Sequence, residues 1–220
     1  MTSSASVVGS GRSTATREAV MNAAEQLFAR HGVRPVSNRQ IARFAGLRNN
    51  AAAAYYFPSR LDLVREIDVR HVEEVERKLR GNLADVGDVG GLDDWLACLV
   101  GAVVGHLSDL GAHSCYARFV AKAMSEPVYQ DVLMEDALSS TSMRTVIARI
   151  KLALAYLPDG VRAHRALMNR MLLLQTLAEH ELILAGAGSD VTYQWITLGH
   201  NLVDAMIGVW QAPVSPESSH

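Results

Sequence analysis

The start and stop signals crowded into residues 16–65 constrain this chain more than any other feature, because they leave room only for short helices joined by tight turns. From Thr16 onward Val20, Ala24, Leu27 and Phe28 recur on one helical face, and Gly32 with Pro35 closes that helix. Ser37 and Gln40 form an S-x-x-Q capping box, with Val36 before the cap facing Ile41 as a hydrophobic staple. A second helix therefore starts at Ser37, and Gly46 ends it just past Ile41, Ala42 and Ala45. Asn49 is placed to cap a third helix that runs from Ala51 through Ala54 into Tyr55, Tyr56 and Phe57, where Pro58 stops it. Ser59 and Asp62 cap a fourth, expected to run to Gly81.

Two short helices across a glycine turn, the second small and Asn-rich, behind a longer amphipathic helix, make the pattern of a helix-turn-helix. A helix that lies against base edges needs small side chains, while Asn can pair with adenine and Ala can touch thymine methyls. Charge agrees with position: residues 1–70 hold ten Arg, no Lys and five acidic residues, a net +5, although the whole chain is at -2. Ser37 with its helix N-terminus, Arg39, Tyr55 and Arg60 are suited to phosphate. Asn49 and Asn50 flank the start of the reading helix and at least one is expected to reach a base, with Arg48 and Arg39 supporting.

At these residues the chain resembles the DNA-binding domain of the tetracycline-repressor (TetR) family. The resemblance covers residues 16–65: Ala23-Ala24 and Leu27-Phe28 before His31-Gly32, then Ser37 through Ile41-Ala42, Ala45-Gly46, Tyr55 and Phe57, and Ser59-Arg60 leading into Leu63. Tyr55 stands nine positions after Gly46 where the family more often has seven. The chain thus looks like the branch reading A-G-x-R-N-x-x-A-x-x-Y-x-F, which Arg48, Asn49 and Ala52 fit. Arg60 and Tyr56 stand where Lys and His are commoner. The resemblance implies an all-α protein in which an N-terminal helix-turn-helix precedes a helical ligand-binding and dimerisation domain. It also implies a homodimer through the last two long helices and a double-stranded DNA operator with inverted-repeat symmetry. A repressor released by a small-molecule effector is the expected behaviour, although one chain does not separate repressor from activator. The expected division is a flexible arm at 1–15, the DNA-binding domain at 16–65, the regulatory domain at 66–212 and a flexible tail at 213–220.

Beyond residue 81 no strand alternation of useful length occurs, and the helical periodicity stands apart from the resemblance. Trp195, Leu198, Leu202, Met206 and Trp210 form one long stripe near the C-terminus, with Gly199 permitting close approach. This stripe is expected at the dimer interface; an ordinary core face within one protomer is the alternative. Trp95, Tyr116, Phe119, Met124, Met134, Met143, Met171 and Gln175 are candidates for a largely apolar pocket, or equally for plain core. The expected effector is small and largely apolar.

Other functions fit less well. His180-Glu181 begins the H-E-x-x-H zinc pattern, but residue 184 is Leu, so the second ligand is missing. With no Ser-His-Asp set and no phosphate-binding glycine loop, neither an enzyme nor a cofactor or metal is expected. A helical interaction module would leave the capped helix pair and its positive charge unexplained. Cys98 and Cys115 lack metal spacing and read as small hydrophobes. With 49% apolar residues but no run long enough to span a bilayer, and no signal-peptide core, a cytoplasmic globular protein is expected.

Overall fold

A computed structural model describes residues 5–49, 52–186 and 190–215 of the 220-residue chain. Those residues form ten helices and no strand: α1 (Ala5–His31), α2 (Asn38–Phe44), α3 (Ala52–Tyr56), α4 (Arg60–Val86), α5 (Leu92–Leu110), α6 (Tyr116–Ala123), α7 (Pro127–Ser139), α8 (Thr141–Ala153), α9 (Asp159–Leu184) and α10 (Val191–Gln211). None of the helices described is long and apolar enough to cross a membrane.

The local signals near the N-terminus act as read. Val20, Ala24 and Phe28 bury one face of α1 against Ile41, Ala53, Phe57 and Leu63, so the first four helices share one core. Both capping boxes close, Ser37 with Gln40 on α2 and Ser59 with Asp62 on α4, and the staple residues Val36 and Ile41 are buried. Residues 5–15, expected within a flexible arm, are helical: α1 begins at Ala5 rather than near Thr16. Once its packed half is formed, each further residue closes a hydrogen bond without a new nucleation cost, and no proline interrupts the segment.

The fourth helix also outruns its expected end, passing Gly81 and stopping at Gly87. Leu83 and Val86 continue its apolar face onto α5, and the Asn82 amide donates to the Cys98 carbonyl at 3.0 Å, so packing outweighs the cost of one helical glycine. This 27-residue helix runs from the helix-turn-helix into the second half of the chain, where it packs on α5, α7 and α8. The expected frayed tail is tied down where it begins. Arg165 of α9 donates to the carbonyls of Trp210, Ala212 and Pro213, and Val214 packs on the core.

The C-terminal stripe faces inward. Trp195 is fully buried, Leu202, Met206 and Trp210 nearly so, and Leu198 is half-buried, because α10 lies along α5 of its own protomer. Gly199 permits close approach, as its sequence position suggested, but the neighbour is Val104 of α5: a Cβ added there would meet that side chain at 3.5 Å. The stripe is therefore core, not dimer interface.

Candidate functional site

The helix-turn-helix surface is built from three local devices. The Ser37 hydroxyl accepts the Gln40 N–H at 3.2 Å and donates to Gln40 Oε1 at 2.7 Å, while the Ser37 N–H donates to the same oxygen at 2.8 Å. Its hydroxyl proton is thus committed within the cap. At the other end of α2, Gly46 takes φ +70° and its N–H reaches the Arg43 carbonyl at 3.1 Å, while the Leu47 N–H reaches the Ala42 carbonyl at 2.9 Å. This pair of bonds reverses the chain, and a side chain at residue 46 would strain it. Ala53 of α3 and Phe57 just after it are buried against α1, which turns Ala54 and Tyr55 outward; Tyr55 is 80% exposed and edge-on to Tyr56.

Arg39 on α2 and Arg48 and Asn49 in the connection to α3 are exposed, and Asn50 lies outside the described residues. Arg60 does something the sequence did not reveal. Its Nη2 donates to the Val36 carbonyl at 2.8 Å and to Asn38 Oδ1 at 2.9 Å, and its guanidinium lies 5.2 Å from the Phe28 ring centroid. One side chain thereby clasps the start of α4 to the start of α2 and to α1. Arg60→Ala is expected to cost about 2 kcal/mol by removing charge-assisted bonds and stranding the Val36 carbonyl. For a chain of this size that lowers the melting temperature by roughly 4–8 °C, which thermal unfolding followed by circular dichroism measures.

Helices α4 to α10 all contribute to the wall of a cavity of about 710 Å3, within the range of small-molecule sites. The wall is almost wholly apolar, with Val72, Leu99, Val103, Ile147 and Leu173 among its members. Of the candidate pocket residues, Tyr116, Met124, Met134 and Met143 line it. The other four do not. Trp95 is buried in the first turn of α5 under the Arg149 guanidinium, and Phe119 points from the far side of α6 onto Phe28 of α1, ring centroids 6.2 Å apart. Met171 and Gln175 are exposed on the outer side of α9. Asp68 and Asn169 are buried polar residues of the wall that the sequence reading missed. A signal existed for Asp68, since it falls on the same helical face as the apolar Val64, Ile67 and Val75 of α4.

Asp68 is 2% exposed and accepts the Tyr116 hydroxyl at 2.9 Å. Burial pushes its carboxyl up to about 7 despite that hydrogen bond, with the charge of Asp136 adding to the rise. A folded-state value above the unfolded one means the folded protein holds this proton more tightly. Stability associated with Asp68 is therefore fully present at acid pH and is lost progressively from about 4 up to about 7. Asp68→Asn, which keeps the shape and removes the charge, is expected to be more stable than the parent above pH 7 by a few kcal/mol, and no more stable near pH 4. Urea unfolding at both pH values measures the difference; an equal effect at the two would remove the buried charge as its cause.

Behind Tyr116 a polar cluster leads back to α1. The His71 ring stacks on Tyr116 at 3.8 Å between centroids, its Nδ1 lies 2.9 Å from His106 Nε2, and its Nε2 lies 3.4 Å from Glu25 Oε2. Arg70 pairs with the same Glu25 carboxylate. Burial, with the neighbouring His71, lowers His106 to about 4, so its imidazole is neutral at physiological pH. Burial pushes the Cys115 thiol up to about 12, which removes thiolate chemistry there. His180-Glu181 has a structural explanation: Glu181 is buried and accepts the N–H groups of Ala117 and Arg118, the Arg118 guanidinium and the Ser114 hydroxyl, capping α6 from another helix.

These features define a class, an all-α helix-turn-helix protein whose second half encloses an apolar cavity. No protein-family model and no curated protein matches the sequence. Solved structures do match. A Shewanella sp. PV-4 protein assigned to the tetR family of transcription regulators superimposes with a TM-score of 0.59 at 18% identity, over 89% of this chain and 95% of that one. A TetR-family transcription regulator from Marinobacter aquaeolei VT8 gives 0.53 at 16% identity over 92% and 97% of the two chains. A Pseudomonas aeruginosa PAO1 protein assigned as a transcriptional regulator gives 0.53 at 19% over 89% and 92%. The fold of this chain is the TetR-regulator fold.

Proposed function

We propose that the protein is a DNA-binding transcriptional regulator, a homodimer whose hold on an operator is set by a small, largely apolar molecule in the cavity of α4 to α10. The observation that carries this reading is the course of α4. Its first residue, Arg60, clasps the start of α2, and about two to four turns later Asp68, Val72 and Val75 form part of the cavity wall, so one helix touches both sites. A ligand that favours one setting of α4 biases the presentation of α2 and α3. A tenfold loss of operator affinity needs a preference of about 1.4 kcal/mol between the two settings.

On the DNA side, Tyr55, Arg39 and Arg48 are the exposed groups suited to phosphate, and Asn49, with Asn50, supplies the base-reading amide. Ser37 and Arg60 serve first as builders of the helix pair, the Ser37 hydroxyl and the Arg60 Nη2 being engaged within it. For assembly, α9 leaves Met168, Met171, Leu182 and Ile183 largely in solvent, and α10 does the same with Tyr193 and Ile196. Exposed apolar side chains of this size on the last two long helices are what a second copy of the chain would cover. The test is to screen compounds for thermal stabilisation and then titrate the hits against a bound genomic fragment. Hits that stabilise the protein are expected to weaken the DNA complex; if none changes it, the sensing half of the proposal fails.

A further inference from the structure

The cavity wall holds an acidic group with no basic partner. Asp68 lies deep between α4 and α6, accepts the Tyr116 hydroxyl, and is paired with no Lys or Arg among the described residues. The Arg65 and Arg70 side chains on either side of it in sequence are committed elsewhere, to Glu135 and Asp136 and to Glu18 and Glu25. Across the same cavity Asn169 is also buried; its amide donates to the Arg165 carbonyl at 3.1 Å, and its Oδ1 has no hydrogen-bond partner. Two buried acceptors therefore sit in a mostly apolar wall, whose other polar members are Glu76, Ser140, Lys151, Asp159, Arg162 and Arg170. The cation of the wall placed nearest the start of α9, Arg162, is satisfied by Asp159 and by the carbonyls of Leu154 and Leu157.

A buried carboxylate without a cation costs free energy that a bound cation would recover, and the more so in a dry apolar surrounding. The Tyr116 and Trp210 side chains of the same wall add aromatic surface, which also favours a positive group. We infer that the cavity takes an amphiphilic cation, a ligand with an apolar body and a protonated, hydrogen-bond-donating nitrogen that pairs with Asp68. This deepens the proposed effector site and rests on it for its regulatory meaning. Glu76, another acid of the wall, does not compete for that nitrogen, because its oxygens already accept from the hydroxyls of Ser140 and Ser142 and from the Ser142 N–H, and Asp159 is paired with Arg162.

Three probes with one tail and different heads separate the outcomes: dodecylamine, dodecanol and dodecanoate, each titrated calorimetrically into the protein at slightly alkaline pH and below its micelle concentration. Dodecylamine is expected to bind tightest, and Asp68→Asn to weaken it by about tenfold or more, the size typical of a lost charge-assisted contact. Dodecanol is expected to bind parent and variant alike, which shows that the variant keeps its fold and cavity. Dodecanoate binding as tightly as the amine, or an amine affinity unchanged by Asp68→Asn, would overturn the inference. Because binding is read without DNA, an amine that binds through Asp68 but leaves the DNA complex intact upholds the head-group inference and counts against the regulatory reading alone.

Discussion

Replacing Leu202 by Asp is expected to unfold the protomer rather than to separate a dimer. Leu202 is 3% exposed at the contact of α10 with α5, beside Trp195 and Met206. An aspartate there loses the packing of a core leucine, about 2–5 kcal/mol, and adds an unpaired buried carboxylate. Together these approach the whole stability of a typical domain, about 5–15 kcal/mol. The variant should lose its cooperative thermal transition or be recovered only as aggregate. A folded, well-behaved monomer would instead restore the stripe to the dimer interface.

The converse substitution belongs on the outer face. In the double variant Met168→Asp, Ile196→Asp, each carboxylate replaces a side chain about half in solvent in the protomer, 57% and 49% exposed, so the fold has little to lose. If α9 and α10 meet a second copy, the same charges are forced into an apolar contact, and sedimentation should show a monomer with an unchanged helical spectrum. Operator affinity should then fall by about 10²–10⁴, the contribution of linking two reading heads on one site. A double variant that stays dimeric, or a parent that is monomeric at micromolar concentration, would rule this face out.

These two predictions differ because of a limit in what a helical period can say. Periodicity shows that a face is apolar; it does not show what covers it. In α10 Trp195, Leu202 and Met206 form an inner face, and Tyr193 and Ile196 stand on an outer one beside Thr197, His200 and Asp204, so the apolar stripe alone did not say whether it met its own protomer or a second copy. The N-terminal third was legible for the opposite reason: Ser37 with Gln40, Gly46, and Ser59 with Asp62 act over three or four residues, so their geometry follows from local sequence.

The cavity was only half legible. Tyr116, Met124, Met134 and Met143 fell on its wall, but Phe119 faces away because α6 is covered by α1 on its other side. Arg60, expected at the phosphate backbone, is engaged with Val36, twenty-four positions earlier, and Arg165 anchors a carbonyl forty-five positions later. Contacts of that range leave no trace in a local pattern. The cluster from Tyr116 through His71 to Glu25 is likewise assembled from three helices distant in sequence.

The central claim is that the α2–α3 surface reads DNA in a symmetric pair, and selection of bound fragments from a random double-stranded pool by the 220-residue protein tests it most directly. The predicted result is enrichment of an inverted repeat whose half-sites are centred near one helical turn apart, roughly 34–36 Å or somewhat more, with affinity falling steeply as salt rises. In the selected site, Asn49→Ala should cost about 1–3 kcal/mol while leaving binding to random DNA nearly unchanged. A pool that remains random after repeated rounds, with binding no stronger at low salt than at high, would contradict the account.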